Sequence, residues 1–374
     1  MRFSAATSVL LGLASFILTR TVQSVPVSVL PDGMPNPNQD ELKRIELKSQ
    51  GTLPNGSPPP KVSKEGIVTL QLIAFNELFE VAFFSELLTN VTKKVRGFDI
   101  PNANERDFVL KSLTAILAVC ALLLYPILIV KIPRLIDIQQ EELHALSANN
   151  ALKHAKARPV QPCKYTFPVS NYTEAIGLAA TFTDLVLGTL QDAVERFALG
   201  SDASLARLIT AVVGQEGEQE GWYRTQQRRI PSQLPFLTTS DLNFAFTAVQ
   251  SFTIPGSCPN IRDIPLKTFQ PLTILTPPTA KTQNITVSWK PDPTIKEPEK
   301  LSLTYINQQN VPVSVPLRIK SMANVVVAEA AFPYTQNLLN GFTIAVVTTG
   351  GGSFPNVDAV AKATVFGPGL IILN

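Results

Sequence analysis

The sequence predicts a protein of the α+β multidomain class, in which a four-helix bundle precedes an all-β, sandwich-like domain. Residues 66–260 contain long stretches with helical apolar periodicity, at about 67–91, 105–152, 172–199 and 203–225. From residue 261 to residue 374 the apolar residues alternate with period two, as at 285–289, 301–305, 313–319 and 342–348, and Pro and Gly separate these runs. We expect roughly seven strands there.

Two of the predicted helices carry a glutamate among their apolar, core-facing residues. On a helical wheel Glu216 projects into the middle of the apolar sector of the fourth helix, and Gln219 projects toward its edge. In the first helix Glu77 is flanked by apolar residues, although Glu86 also lies among phenylalanines on the opposite side. A buried carboxylate requires a partner because an unpaired charge in a core is very unfavourable.

The pair Glu141-x-x-His144 indicates a metal-binding function. Residues three apart share one face of a helix, and Glu-x-x-His is the helical motif of carboxylate-bridged di-iron bundles. The same spacing is common in solvated pairs, so the motif alone does not establish a site. His144 is one of two histidines, and the other, His154, is expected to be a solvated helix end. With so few histidines no hydrolase triad is expected.

The net charge of +3, with no basic cluster interleaved with aromatic residues, argues against a nucleic-acid partner. Residues 1–24 have the basic start and apolar stretch of a secretory signal peptide, the alternative being an N-terminal membrane anchor. Residues 25–65, rich in Pro, Gly, Ser and Asn, predict an extended linker. Glycosylation acceptors at Asn90, Asn171 and Asn284 suit a secreted protein of the extracellular space or cell wall.

The chain contains three cysteines. An odd number is unusual in a secreted protein, because one thiol then stays without a disulfide partner in the same chain. Cys163 and Cys258 lie in polar connections that flank the last two predicted bundle helices. We favour a disulfide between them, and the alternative is two free thiols. Cys120 lies in a very different, apolar segment.

Residues 112–130 are a run of nineteen residues without a charged side chain, which is long enough for a transmembrane helix. Deleting residues 119–139 would instead leave one continuous amphipathic helix and would remove Cys120. Our hypothesis is that residues 119–139 are translated intron. The alternatives are a genuine membrane span, which would give the protein a membrane partner, and a genuine apolar insertion.

Residues 66–260 resemble the secreted ferritin-like proteins of filamentous fungi, described as late sexual development or stress-regulated proteins. The resemblance is carried by Ala-Phe-Asn-Glu-Leu-Phe-Glu-Val-Ala-Phe-Phe at 74–84, by Gln-Glu-Glu-Leu-His-Ala-Leu at 140–146 and by Gln-Glu-Gly-Glu-Gln-Glu-Gly-Trp-Tyr-Arg at 215–224. The ending Phe-Gly-Pro-Gly-Leu-Ile at 366–371 adds to it. The resemblance implies a ferritin-like four-helix bundle and a role in fungal development or stress response.

The resemblance also implies a ligand set, because a ferritin-like di-iron centre takes six side chains from four helices. The matching positions are Glu77, Glu141, His144, Gln191, Glu216 and Gln219. Two of them are amides, and amide oxygen is a weak ligand. Three interpretations remain open: a hydrogen-bonded core network without metal, a site for one iron, manganese or zinc ion, and a di-metal oxidase. We expect a non-enzymatic scaffold or extracellular interaction protein with a degenerate di-metal site, the metal-binding protein or oxidase being the alternative.

Overall fold

The computed structural model of the chain describes residues 37–49, 51–56, 58–116, 141–232 and 234–373. Within these residues a helical domain is followed by a β domain. The helices are α1 (Gln39–Ser49), α2 (Lys64–Thr92), α3 (Ala103–Ile116), α4 (Glu141–His154), α5 (Tyr172–Leu199), α6 (Ala203–Gln226), α7 (Leu242–Gln250), α8 (Tyr334–Asn337) and α9 (Val357–Ala363). The predicted signal peptide, Cys120 and most of the uncharged segment lie outside the described residues.

Helix α2 forms the centre of the helical domain because it is apolar on nearly every face. The Ser63 hydroxyl oxygen caps its N-terminus by accepting a hydrogen bond from Gly66 N at 2.8 Å. The helix contacts α3, α4, α5 and α7. It is long and apolar enough to cross a membrane, but 83% of its most apolar stretch is buried inside the protein. Such burial is typical of the core helix of a globular domain.

Helices α3 and α4 pack along successive parts of α2. Leu113 of α3 shares a core cluster with Phe84, in the second half of α2. Leu152 of α4 shares another cluster with Leu70, in the first half of α2. Together α3 and α4 therefore occupy the position of one antiparallel partner of α2. With α5 and α6, which pack against each other, they complete the four positions of the bundle.

A helix lies within the range that the sequence predicts as a linker. Helix α1 begins with a capping box: Asn38 N donates to Glu41 Oε2 at 2.6 Å, and Glu41 N donates to Asn38 Oδ1 at 3.0 Å. Its Ile45 is buried in a small cluster with Leu143 of α4. The signal for this helix was therefore present in the sequence, as an Asn-x-x-Glu pattern before an apolar residue.

The β domain consists of two antiparallel four-stranded sheets that pack face to face. Its strands are β1 (Thr273–Ile274), β2 (Gln283–Trp289), β3 (Ser302–Asn307), β4 (Val313–Pro316), β5 (Arg318–Met322), β6 (Val326–Phe332), β7 (Gly341–Thr348) and β8 (Thr364–Leu373). The sheets have the orders β1-β2-β6-β5 and β4-β3-β7-β8. Between them Trp289 of the first sheet stacks on Phe366 of the second, with ring centroids 5.2 Å apart. The predicted fold class is confirmed.

Residues 313–319, for which the sequence predicts strand structure, contain two strands that belong to different sheets. Strand β4 pairs with β3 as far as Pro316, which lies opposite Ser302. Proline has no N–H to continue the ladder. After the buried Leu317, strand β5 pairs with β6 of the other sheet.

The second sheet also packs against the helical domain through its outer face. Ile306, Ile344 and Val346 lie in the same apolar cluster as the bundle core. The Thr238 hydroxyl, in the connection before α7, donates a 2.6 Å hydrogen bond to Phe342 O. The two domains therefore share a continuous core on this side.

Candidate metal centre

Three side chains from three helices gather at the centre of the bundle: Glu77 of α2, His144 of α4 and Glu216 of α6. One potential ligand atom of each lies within 4.8 Å of the others. His144 Nδ1 lies 3.6 Å from Glu77 Oε2. Glu77 is 1% exposed and Glu216 is 0% exposed, whereas the His144 side chain is 19% exposed. The sequence analysis named all three, and the structure brings them together.

Helical periodicity explains how these side chains reach the core. Glu77 follows Ile73 by four residues and therefore shares its inward face. Glu216 follows Ile209 by seven residues, or two turns, along the apolar stripe of α6. Each glutamate is thus carried into the core by the apolar residues that anchor its helix.

The donor set suits a transition-metal cation. Carboxylate oxygen and imidazole nitrogen both bind iron, manganese and zinc. A cation bonded to each ligand at about 2.0–2.2 Å would separate two ligand atoms by at most roughly 4.4 Å. The 3.6 Å between His144 Nδ1 and Glu77 Oε2 satisfies that limit. The other separations, all within 4.8 Å, require only a small adjustment of side chains.

The electrostatics of the cluster favour a positive partner. Glu77 and Glu216 place two carboxyl groups close together in the core. Two ionised carboxylates in such a position repel each other, and a proton or a cation between them would reduce that repulsion. A divalent cation would balance both charges at once, with neutral His144 as the nitrogen ligand.

The other predicted ligands are not among the three side chains of this cluster. The side chain of Glu141 lies outside the described part of the structure, so its role stays a prediction. Gln219 is buried, and its Oε1 accepts a 2.9 Å hydrogen bond from the Tyr223 hydroxyl. Gln191 does not join the cluster: its Oε1 accepts a 2.7 Å hydrogen bond from Gln309 of the β domain. The expected convergence of Gln191 on the centre is therefore corrected.

A polar layer that the sequence analysis missed continues from the cluster along the bundle. Glu80 follows Glu77 by one turn of α2, and Glu220 follows Glu216 by one turn of α6. Both are buried, as is Asp184 of α5. The charge of Asp184 raises the pKa of Glu220, so Asp184 is the carboxylate that α5 contributes to this layer. The i+3 and i+4 spacings from Glu77 and Glu216 were the available signal.

Arg224 balances part of the negative charge in this layer. Its Nε donates a 2.7 Å hydrogen bond to Ile230 O. Burial lowers the pKa of Arg224, and the charges of Glu220 and Asp184 oppose that change. Burial raises the pKa of Glu220, and the charge of Asp184 raises it further, while Arg224 and Arg229 act in the opposite direction. Protonation of Glu220 is therefore easier than for an exposed glutamate.

A disulfide joins Cys163 and Cys258, the pair that the sequence analysis favoured. It ties the connection before α5 to the segment after α7.

Among the predicted glycosylation acceptors, Asn284 is exposed on β2. Asn171 caps α5, since its Oδ1 accepts a 2.9 Å hydrogen bond from Glu174 N. Asn90 is half-buried near the end of α2. Glycosylation of these residues stays a prediction.

Fold and site together define a helical-bundle protein with a buried carboxylate–imidazole cluster and an appended β domain. Residues 134–229 match the family model described as a ferritin-like domain. This range includes α4, α5 and α6 and hence His144 and Glu216, whereas Glu77 lies before it. The sequence matches none of the curated proteins with which it was compared. The chain therefore carries a ferritin-like domain within a larger α+β protein.

Proposed function

We propose that the ferritin-like domain binds one transition-metal cation, which is iron, manganese or zinc. The observation that carries this proposal is the convergence of Glu77, His144 and Glu216 within 4.8 Å in the bundle core. A cation bound there would supply Lewis-acid chemistry and, in the case of iron or manganese, redox chemistry. The protein's residues would bind the cation and shield the site with apolar side chains.

We expect the site to hold one cation and not two, because two of the six ligand positions of a di-metal centre carry amides, Gln191 and Gln219. A ferritin-like di-metal centre requires a second Glu-x-x-His motif, where α6 has Glu216 and Gln219. The Gln219 amide oxygen is already engaged by Tyr223, and Gln191 lies at the β domain. Glu141 is the remaining expected ligand, adjacent in sequence to His144 and on the same helical face.

A scaffold without metal is the second candidate function. The hydrogen bond between Gln219 and Tyr223 favours this scaffold function. Gln219 lies where a di-metal centre has a histidine ligand, and its side chain instead bonds to another residue of the core. In this case Glu77, His144 and Glu216 form part of a polar core network, and the protein acts through its surface. An extracellular or cell-wall partner, and a role in fungal development or stress response, belong to this proposal through the resemblance alone.

Metal analysis of the purified full chain distinguishes the two functions. We expect up to one equivalent of iron, manganese or zinc after reconstitution with each metal and removal of the excess. His144→Ala should abolish this content because it removes the only imidazole of the cluster. His154→Ala is the matched control and should retain the metal, since its exposed imidazole instead contacts Pro59 O. Absence of bound metal would support the scaffold, and two equivalents would refute the single-cation site.

We further propose that the protein is secreted. The disulfide between Cys163 and Cys258 supports this proposal because disulfides persist mainly in oxidising compartments. Expression in a eukaryotic host should release protein that begins near residue 25 and loses mass on deglycosylation. Retention of the full-length, unglycosylated chain inside the cell would contradict secretion.

A further inference from the structure

We propose that the cavity beside Glu77 and His144 binds a linear aliphatic molecule with a carboxylate head group. Binding of the carboxylate head group rests on the proposed metal site. Binding of the aliphatic tail rests on the walls of the cavity alone. The ligand would be a fatty-acid-like amphiphile whose tail lies between α2, α4 and α6.

The cavity has the volume of a small-molecule site. It measures about 380 Å³, within the usual range of ligand pockets, which is about 300–1,000 Å³. Exposed residues of the connection after α1, among them Thr52 and Pro54, form part of its lining and place an entrance there.

The cavity is elongated along the bundle axis. On α2 its lining extends from Leu70 to Glu77, and on α6 from Leu205 to Gln215. At 1.5 Å per residue these spans correspond to roughly 10 and 15 Å. Such a shape fits an extended chain better than a compact ring system.

The polar lining is concentrated at one end of the cavity. Glu77, His144 and Gln215 lie together there, whereas Leu70, Leu205 and the other wall residues toward the far end are apolar. The hydroxyl of Ser147 along the wall and that of Thr52 at the entrance are further polar groups of the lining. This asymmetry matches a molecule with one polar end and a long apolar tail.

The chemistry of the polar end selects the head group. If Glu77, His144 and Glu216 hold a cation, it would supply a Lewis acid for the head group, since iron, manganese and zinc all accept carboxylate oxygen. Without the cation, the carboxylates of Glu77 and Glu216 would repel an anionic head group. The metal should therefore control binding of the acid, but only weakly affect binding of an uncharged alcohol with the same tail.

Calorimetric titration of the full chain with decanoate and decanol, before and after zinc loading, tests this inference. We expect decanoate to bind the zinc-loaded protein at least about tenfold more tightly than the metal-free protein. Decanol should bind both forms with affinities within about threefold. Replacing decanoate by octanoate should weaken binding roughly tenfold, because two buried methylene groups are lost.

Two neighbouring residues of α6 provide a matched pair of variants. Val212 lines the cavity, whereas the adjacent Val213, also half-buried, packs against the core outside it. Val212→Phe should weaken binding of both molecules at least about tenfold, and Val213→Phe should not. Metal content should be unchanged in both variants. Ala151→Leu, which fills the far end from α4, serves as a second test if Val212→Phe does not fold.

The outcomes separate this inference from the metal proposal. Failure of both molecules to bind a metal-loaded protein would refute the cavity site and leave the metal centre standing. Equal binding of decanoate with and without zinc would refute the metal-dependent head group. Decanol binding to a protein that takes up no metal would refute the metal centre and the carboxylate head, while supporting the aliphatic site.

Discussion

His144 Nδ1 lies 3.6 Å from Glu77 Oε2, and this contact connects α4 to the middle of the core helix α2. His144 follows residues 117–140, which lie outside the described part of the chain and include most of the uncharged segment. Despite that long intervening segment, α4 lies in register with α2, and the imidazole reaches the buried glutamate. The position of His144 beside Glu77 therefore does not require α3 and α4 to follow each other directly in the sequence.

Removal of residues 119–139 should preserve the fold and the metal centre. Helices α3 and α4 already pack along successive parts of the 29-residue α2, so the deletion would join them into a single partner of similar length. We expect the shortened protein to bind the same amount of metal and to unfold at a temperature higher by about 2–4 °C, corresponding to about 1 kcal/mol.

Sequencing of mature transcripts provides the independent test of the intron hypothesis. The dominant transcript should lack codons 119–139. Reads in which these codons predominate would refute the hypothesis, and loss of metal binding in the shortened protein would show that the segment contributes to the site.

Glu216→Gln should have opposite effects on the metal-free and metal-loaded protein. It removes one of two neighbouring buried carboxylates, so the free energy of unfolding of the metal-free protein should rise by roughly 1 kcal/mol at neutral pH. The variant should lose the increase in melting temperature that metal gives the wild type, because a ligand stabilises only the state that binds it.

Glu218→Gln is the control, since Glu218 is exposed on the same helix and should change neither quantity. Melting curves with and without added metal measure both effects. A large loss of stability in metal-free Glu216→Gln would indicate that the interactions of the Glu216 carboxylate within the protein outweigh its repulsion by Glu77.

Glu220 should make stability depend on pH. Burial and the charge of Asp184 raise its folded-state pKa above 4.5, the pKa of an ordinary glutamate, so the folded state binds this proton more tightly than the unfolded state. The stabilisation is therefore fully present at pH values below 4.5 and is lost as the pH rises through the raised pKa.

Glu220→Gln imitates the protonated carboxyl group and should reduce this loss at alkaline pH. Urea unfolding of the wild type and the variant at acidic, neutral and alkaline pH measures the difference. Parallel pH profiles for the two proteins would show that Glu220 does not titrate differently in the folded state.

The disulfide should contribute substantially to stability. The bond between Cys163 and Cys258 closes a long loop, with a sequence separation of 95. The double variant Cys163→Ser and Cys258→Ser should lower the free energy of unfolding by about 2–4 kcal/mol. Denaturant unfolding under oxidising conditions measures this change.

Dithiothreitol supplies the control for the disulfide. It should lower the stability of the wild type to that of the double variant and leave the variant unchanged. Equal stability of both proteins under oxidising conditions would contradict a structural role for the bond.

The amino-acid sequence determined the features that depend on local patterns. Apolar periodicity predicted a helix at 172–199, and α5 has these limits. Period-two alternation located most strands of the β domain, and the polar setting of Cys163 and Cys258 indicated their pairing. The helix and strand positions were predictable because residues close in sequence determine them.

Tertiary structure decided which side chains meet across the bundle. A helical wheel gives the direction of a side chain but not its height along the axis. Gln191 and Asp184 lie seven residues apart, on nearly the same face of α5, yet Gln191 contacts the β domain and Asp184 lies beside Glu220. The predicted α5 ligand, Gln191, therefore lies on the correct face of the helix but about two turns away from the carboxylate that α5 contributes to the core.

The division between β4 and β5, and the cavity beside Glu77, were likewise decided only by the folded chain. Alternation along 313–319 shows that a strand is present but not which partner strand it joins. A cavity depends on how α2, α4 and α6 are spaced after packing. The sequence by itself thus determined the order of elements and the inward direction of Glu77, His144 and Glu216. Their meeting in one site was decided by helix packing, because it alone sets the relative heights and separations of distant segments.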